Sequence, residues 1–242
     1  MPVGSDQIEV LDASGWRKVG SQAGSNPGGV FEDDAGVRWY VKTPNTADHA
    51  RNEVLANRLY RLAGVAVPDV ELARRDGQHA VASRMLKGLT LAEAPPHLSD
   101  RAGVSVGEGF AADAWLANRD AFGVDLDNMI VTATGEVIRI DQGGALRYRA
   151  QGSLKTEFGP TVAEFDTLRD RRKNAVAASF FAAMTEQQLL SSLRCVTAIG
   201  SAAIAAAVRA IYGDGAESAL LIDTLIARRD DLARRAQHIG RD

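Results

Sequence analysis

The sequence predicts an α+β fold of two unequal lobes, a small β-rich N-terminal lobe carrying one helix and a larger, mainly helical C-terminal lobe. Three observations predict it. Period-2 alternation between clusters of turn residues dominates the first third of the chain. One amphipathic helical pattern interrupts those strands. From about Asn174 onward the pattern is helical to the end. With 242 residues, 45% of them hydrophobic and 24% charged, the chain is long enough to bury a sizeable core.

"WRKVGSQAGSNPGGVFEDDAGVRWYVK" reads as strand, glycine-rich turn, strand, turn, strand. In "VRWYVK", Val37, Trp39 and Val41 alternate with Arg38, Tyr40 and Lys42, the mark of a half-buried strand. "TADHARNEVLANRLYRLAG" follows as a helix with Ala50, Val54, Leu55, Leu59 and Leu62 on one stripe and Gly64 as its stop. "VPDVELAR" and "HAVASRM" read as two more strands. "LKGLTLAEAPPHLSDRAG" reads as a flexible connector, dividing the chain into residues 1–86 and 87–242. Beyond it, "GEGFAADAWLAN" is a helix and "NMIVTATGEVIRIDQGG" a hairpin turning at Thr134 and Gly135. "TEQQ" at 185–188 fits a capping box, and "SALLIDTLIARRDDLARRA" a terminal amphipathic helix. Sites tend to lie between two such lobes.

Composition excludes several classes. A net charge of −3 leaves no electrostatic footprint for nucleic acid. The basic clusters at Arg147–Arg149 and Arg169–Lys173 read as solvated surface. Cys195 is the one cysteine, so the chain has no disulfide framework, and the four histidines lack metal-ligand spacing. The opening "MPVGSDQIEVLD" lacks an apolar signal core, and no apolar run approaches the roughly 20 residues of a membrane span. A soluble, cytoplasmic protein is the expectation, with delivery into another cell by a signal-independent route left open.

Several residues stand where chemistry needs them. "GSQAGSNPGG" joins two strands and opens no helix, which argues against a dinucleotide turn or P-loop. Its glycines let backbone amides approach a phosphate, although a plain hairpin loop has the same composition. Lys42 ends its strand opposite Val37, Trp39 and Val41, and Glu53 on the next helix lies within reach of it. Read singly, they are an edge lysine and a helix-surface acid. "WLANRDAFGVDLDNMIV" takes Asn118, Arg119 and Asp120 off a helix into a carboxylate-rich loop ending at Asn128. The hairpin returns Asp141 beside Asn128, so the two can share an oxygen-preferring ion such as Mg2+. Asp120 is a candidate base. Glycine loop, Lys, Glu, Asp, Asn, hairpin and Asp-x-Gly, in that order, are the parts of kinase-type phosphoryl transfer.

On these residues the chain resembles the atypical protein-kinase-like phosphotransferases. It is most similar to the HipA and phosphatidylinositol-kinase-like branch, which includes bacterial and phage-associated toxin or effector kinases. "GSNPGG", "WYVK", "NEVLANRLYRLAG", "LANRDAFGVDLDNMIV" and "RIDQGGALRYRAQG" carry the likeness over roughly Gly20 to Gly152. It implies a bilobal protein-kinase-like fold whose first lobe binds nucleotide and whose second is catalytic. Gly24, Ser25, Asn26, Gly28 and Gly29 would cover the phosphates of ATP, and Met85 and Leu86, in a hinge reaching Gly88, would receive the adenine. Lys42, oriented by Glu53, would contact phosphate; Asp120 would be the acid-base residue; Asn128 and Asp141 would hold Mg2+. The acceptor implied is a hydroxyl, first a protein Ser/Thr. Small-molecule or phosphoinositide phosphorylation, AMP transfer, and an inactive nucleotide-binding module are the alternatives.

Two departures bear on this. The step from Asp120 to Asn128 is eight positions where the usual loop has five, so Asp125 and Asp127 compete with Asp120 as base or metal ligand. "Asp-Gln-Gly" stands in place of Asp-Phe-Gly. In the segment that follows, Arg147, Arg149 and Lys155 are expected to receive an acidic or phosphorylated partner, and Ser153, Thr156 and Thr161 are candidates for self-phosphorylation.

Overall fold

A computed structural model describes residues 10–22 and 26–240. The first lobe is a six-stranded sheet of order β1-β5-β6-β4-β3-β2, built from β1 (Leu11–Asp12), β2 (Arg17–Gly20), β3 (Gly28–Glu32), β4 (Arg38–Lys42), β5 (Val70–Arg75) and β6 (Gln78–Arg84). The two-residue β1 was not anticipated; it pairs parallel with β5 through Leu11 and Ala73. The other pairings are antiparallel, and β3 and β4 run in register from Gly28 opposite Lys42 to Glu32 opposite Arg38. One face of the sheet buries Phe31, Val41, Ala73, Ala80 and Ala82 with Ala13.

Helix α1 (Ala47–Leu62) covers the other face. Thr46 caps it by accepting from the amide of His49 at 3.1 Å, and Gly64, at φ +71°, terminates it where an L-residue would be strained. Ala50, Val54, Leu55 and Leu59 are fully buried, as the stripe predicts, whereas Leu62 is 41% exposed because it faces out in the last turn. His49, Asn52, Glu53 and Asn57 are buried as well. The helix is therefore enclosed on more than one side, with α7 (Ser201–Tyr212) and the segment after Asp141 packed against it.

The expected connector is largely ordered. It contains β7 (Leu89–Thr90), a 3₁₀ turn and α2 (Pro96–Glu108), whose first residue is a proline in the position where its missing N–H costs nothing. Helix α3 (Phe110–Trp115) accordingly starts three residues later than the spacing predicts. Gly109 separates the two helices: a Cβ there would collide with the Arg139 guanidinium. β8 (Met129–Val131) and β9 (Val137–Arg139) form the hairpin and complete a second sheet of order β7-β8-β9. Gly135 makes its turn at φ +80°.

All six residues of α3 are buried, and α2, α4 (Glu164–Thr167), α6 (Glu186–Thr197) and α8 (Ala216–Ile239) pack around it. α5 (Ala175–Phe181) closes the layer, and the capping box at Thr185 and Gln188 that opens α6 is present. Arg228 of α8, 1% exposed, donates to the carbonyls of Ala114, Trp115, Gly159 and Thr161 and to Glu164, so its guanidinium is fully bonded. Among the described residues no single helix is long and apolar enough to cross a membrane.

Candidate active site

Lys42 emerges at the end of β4, opposite Gly28, so the loop joining β2 to β3 lies at its end of the sheet. Gly28 has to be small: a Cβ would lie 2.6 Å from the Val41 carbonyl oxygen. Pro27 and Gly29 flank it, with Asn26 one position further back, and Gly24 and Ser25 fall outside the described residues. The side chain of Lys42 is only 8% exposed and points between the lobes. Its Nζ lies 3.0 Å from Glu53 Oε1 and 2.6 Å from Asp141 Oδ1. One ammonium thus bridges two carboxylates.

Their protonation follows from burial and charge. Burial disfavours charged Lys42, but Glu53 and Asp141 outweigh it and raise the pKa. Burial pushes Glu53 up to about 7 against the pull of Lys42, and Asp141 adds to the rise. Asp141 is also partly enclosed, yet Lys42 holds its carboxyl below the usual range. Its side chain is half-exposed (52%), while one oxygen of Glu53, Oε2, is buried without a hydrogen-bond partner.

Asp141 sits in the left-handed region at φ 56°, a conformation that Asp tolerates better than most residues. The two residues after it explain the motif. Gln142 is buried and donates to the Arg139 carbonyl at 2.7 Å, so a hydrogen bond fixes this position in place of a phenylalanine. At Gly143 a Cβ would approach both Glu53 Oε2 and His49 Nε2 to 3.2 Å. His49 is hydrogen-bonded to the Gly143 carbonyl at 3.1 Å and stacks on Tyr148. Asn52 donates to Ala145 O at 3.0 Å and accepts from Arg147 N at 3.3 Å. Two side chains of α1, His49 and Asn52, therefore clamp the segment that carries Asp141, and Glu53 beside them holds Lys42. The sequence reading missed His49 and Asn52. The signal was present: with Glu53 they recur at i, i+3 and i+4, one polar face of the helix.

The loop after α3 is anchored at both ends. Asn118 is buried and donates to Tyr60 Oη at 2.9 Å. Phe122 stacks on Phe180 at 4.6 Å and meets Phe181 edge-on at 5.4 Å, so the loop is pinned by aromatic burial. Asp120 lies between these anchors, half-buried; burial and then the charges of Asp141 and Asp127 raise its pKa. The eight-residue step resolves as an outward bulge. Val124 is 85% exposed and Asp125 is exposed, but Asn128 returns to donate its side-chain amide to the Asp120 carbonyl at 2.9 Å. Chain spacing is longer than usual, but the two residues touch. Because Nδ2 is fixed on a carbonyl, Asn128 Oδ1 is the side chain's remaining acceptor. Ile140 N donates to Asn128 O at 2.9 Å, bringing Asn128 next to Asp141 across the hairpin.

Strain collects here. Among the described residues five non-glycines have positive φ: Ala117, Leu126, Asp141 and Leu146 lie in these two segments, and Asp76 in a distant hairpin. Lys155 ties the segments together: its Nζ donates to the carbonyls of Ala117 (2.7 Å), Gly144 (2.9 Å) and Leu146 (2.9 Å). That occupies all three donors, so Lys155 does not receive an acidic partner as the sequence reading expected. Nor does Arg147, which pairs with Glu217 and lies over the Tyr212 ring at 5.5 Å. A cavity of about 180 Å³ opens beside Asp120, lined also by Arg119, Gly144, Arg149 and Thr156. Met85 and Leu86 lie in the strand-free segment between the two sheets, and Met85 N donates to Arg38 O at 2.9 Å.

Among the described residues no three or more His, Cys, Asp or Glu side chains cluster as a metal site. Asn128 and Asp141 nonetheless offer hard oxygen donors, an amide oxygen and a half-exposed carboxylate, from neighbouring ends of one hairpin. Mg2+ is commonly held by one or two such groups, with waters and phosphate oxygens completing its shell, so the residues fit it.

A small sheet with one clamped helix, a helical lobe, and a charged cleft between them define a protein-kinase-like fold. A solved structure of the same kind agrees. The structure of this chain is similar to that of a Helicobacter pylori proinflammatory kinase, CtkA, with a TM-score of 0.64 over 95% of this chain and 99% of that chain, at 12% identity. An aminoglycoside phosphotransferase from Alicyclobacillus acidocaldarius matches over 92% of this chain and 93% of that chain, with a TM-score of 0.38 and 11% identity. No protein-family model matches the sequence, and no curated protein matches it.

Proposed function

We propose that this chain is a Mg-ATP-dependent phosphotransferase of the HipA and phosphatidylinositol-kinase-like type, moving the γ-phosphoryl group to a hydroxyl, first a protein Ser/Thr. The observation that carries the reading is the bridge from Lys42 to Glu53 and Asp141, at 3.0 and 2.6 Å, with Asn128 held against Asp120 alongside it. Lys42, kept cationic, neutralises phosphate charge, and Glu53 with the α1 clamp fixes where it points. Residues 26–29 with Gly24 and Ser25 cover the phosphates, and the hinge at 85–88, between lobes 1–86 and 87–242, receives the adenine.

Asp120 accepts the proton of the acceptor hydroxyl. The hydroxyl oxygen bonds to the γ-phosphorus as the bond to the bridging oxygen breaks, and ADP leaves. Asn128 and Asp141 would hold Mg2+, which when bound offsets charge on the phosphate oxygens. Positioning and electrostatics dominate such a transfer. The raised pKa of Asp120 suits a base, and its contact with Asn128 favours it over Asp125, which is exposed on the bulge. The long Asp120–Asn128 step favours an inactive binding module on spacing alone; the contact that closes it supports catalysis.

The test is incubation with Mg2+ and ATP labelled at the α or the γ position in cell lysate, beside Asp141→Ala. Label from γ-ATP alone on an acceptor, lost in the variant, is the expected result. Label from α-ATP would mean AMP transfer. ATP binding with no label transferred and no hydrolysis would leave a binding module.

A further inference from the structure

Some cations of the second lobe are engaged with acids or rings and others are not; of the latter, Arg149 lies on the wall of the cavity beside Asp120, and Arg171 and Lys173 lie on the turn bonded to Arg119. Arg172 pairs with Asp170 at 3.1 Å, and Arg169 lies over the Phe165 ring. Arg119 reaches Glu164 at 3.1 Å but keeps a half-exposed side chain (55%) on the cavity beside Asp120. Arg149 lines the same cavity and is exposed, and Arg171 and Lys173 are exposed too. None of these last three forms an ion pair among the described residues.

The run at 169–173, which reads in the sequence as solvated surface, is fastened to the site. Asn174 donates its side-chain amide to the Arg119 carbonyl at 2.8 Å and accepts from Ala177 N at 3.0 Å as the cap of α5. The amides of Lys173 and Asn174 both bond Asp170 O at 2.9 Å, so Arg171 and Lys173 project from a fixed turn next to the loop that carries Asp120. In a chain of net charge −3, Arg149 on the cavity wall and Arg171 and Lys173 on the turn bonded to Arg119 therefore put three cations without ion-pair partners near the loop of Asp120, where they favour a negatively charged ligand.

We infer that the acceptor is a polypeptide segment with carboxylates or phosphates flanking the reacting Ser/Thr, drawn to Asp120 by Arg149, Arg171 and Lys173 with Arg119. The inference rests on the phosphotransferase reading. A peptide fits better than nucleic acid because the patch is small and Glu157 shares the cavity wall, where a continuous polyanion would be repelled.

Three peptide sets test it, each with a central Ser or Thr, flanked by Glu, by Ala or by Lys, incubated with Mg-ATP and the full chain or its Arg171→Glu/Lys173→Glu form. The expected result is a roughly tenfold preference in kcat/KM for the Glu set, shrinking in 0.5 M salt, with the doubly reversed form turning toward the Lys set. Equal preference in both forms, preference for Ala or Lys flanks in the native chain, or ATP hydrolysis with no peptide labelled would overturn the inference and leave the phosphotransferase reading standing. Stronger inhibition of Ala-peptide labelling by a short unstructured RNA than by the Glu peptides would also overturn it, assigning the rim to nucleic acid. Absence of any ATP turnover would overturn both.

Discussion

Two ionic centres share helix α1, one through Tyr60 and one through Glu53, and are built on opposite plans. At the first, Arg139 meets Asp113 through Nε at 2.8 Å and Nη2 at 2.9 Å, and donates to Val106 O. Tyr60 adds a bond to Asp113 at 2.8 Å and accepts one from Asn118. One base faces one acid, and both are nearly inaccessible to water. At the second, one base, Lys42, faces two acids, Glu53 leaves an oxygen unpartnered, and Asp141 looks out to solvent from a left-handed backbone. The closed centre ties α1, α3 and β9 into one frame. The open one has an excess of negative charge and a free face. A group with unfilled valence beside a rigid, satisfied one is how a scaffold presents a site.

The largest effect that would test this contrast is at Asp141. Asp141→Ala is expected to lower phosphoryl transfer on the order of 10³-fold or more while the thermal midpoint changes little, since its carboxylate is half-exposed and serves the open centre. Comparable loss of stability would show the centre to be structural. Next is Arg139→Met, which leaves Asp113 charged and buried with no counter-ion. Breaking such a pair costs about 3–5 kcal/mol, read as a lowered denaturant midpoint, and Asp113→Asn in the same chain should restore part of it. If Arg139→Met unfolded no more easily than the native chain, the closed centre would not be the frame described here.

Lys42, Asp141 and the β8–β9 hairpin were legible in the sequence because each sits at a strand end marked by alternation or turn residues. The order of those marks also gave the two lobes. What stayed hidden had a physical reason. Amphipathic reading assumes one wet face, but α1 is packed on several sides, so the apolar stripe took in Leu62 and left out the buried His49, Asn52 and Asn57. "APPHLSDRAG" looked like a linker because Pro and Gly are turn residues, yet Pro96 opens α2. The eight-residue step looked like a defect because sequence distance cannot show that a bulge closes on itself. Arg147 and Lys155 looked free because their partners, Glu217 and three carbonyls, are remote or carry no side-chain signal.

A smaller effect distinguishes the centres by pH. Glu53 titrates at about 7 in the folded chain against an ordinary 4.5. Between those values the folded state holds a proton that the unfolded chain has lost, so this group's stabilising contribution is complete below pH 4.5 and fades as pH rises through 7. His49, depressed by burial, acts in the opposite sense below its ordinary 6.5, so the measurement is a difference between two chains. Relative to Glu53→Gln, the native chain should lose about 1–3 kcal/mol of unfolding free energy from pH 4.5 to 8. Parallel curves would mean that Glu53 is already satisfied and the centre is as closed as its neighbour.

The smallest expected effect is at Gly143. A methyl there meets Glu53 Oε2 and His49 Nε2 at 3.2 Å, tighter than ordinary contact but against side chains that can yield by a few tenths of an ångström. Gly143→Ala should therefore cost about 1 kcal/mol in chemical denaturation, whereas Gly159→Ala, with open space around it, should be close to neutral. The size of that cost measures how much slack the open centre has. A loss as large as that of Arg139→Met would mean that Glu53 and His49 cannot move at all, and a centre without slack could not release Asp141 from Lys42 to meet a cation.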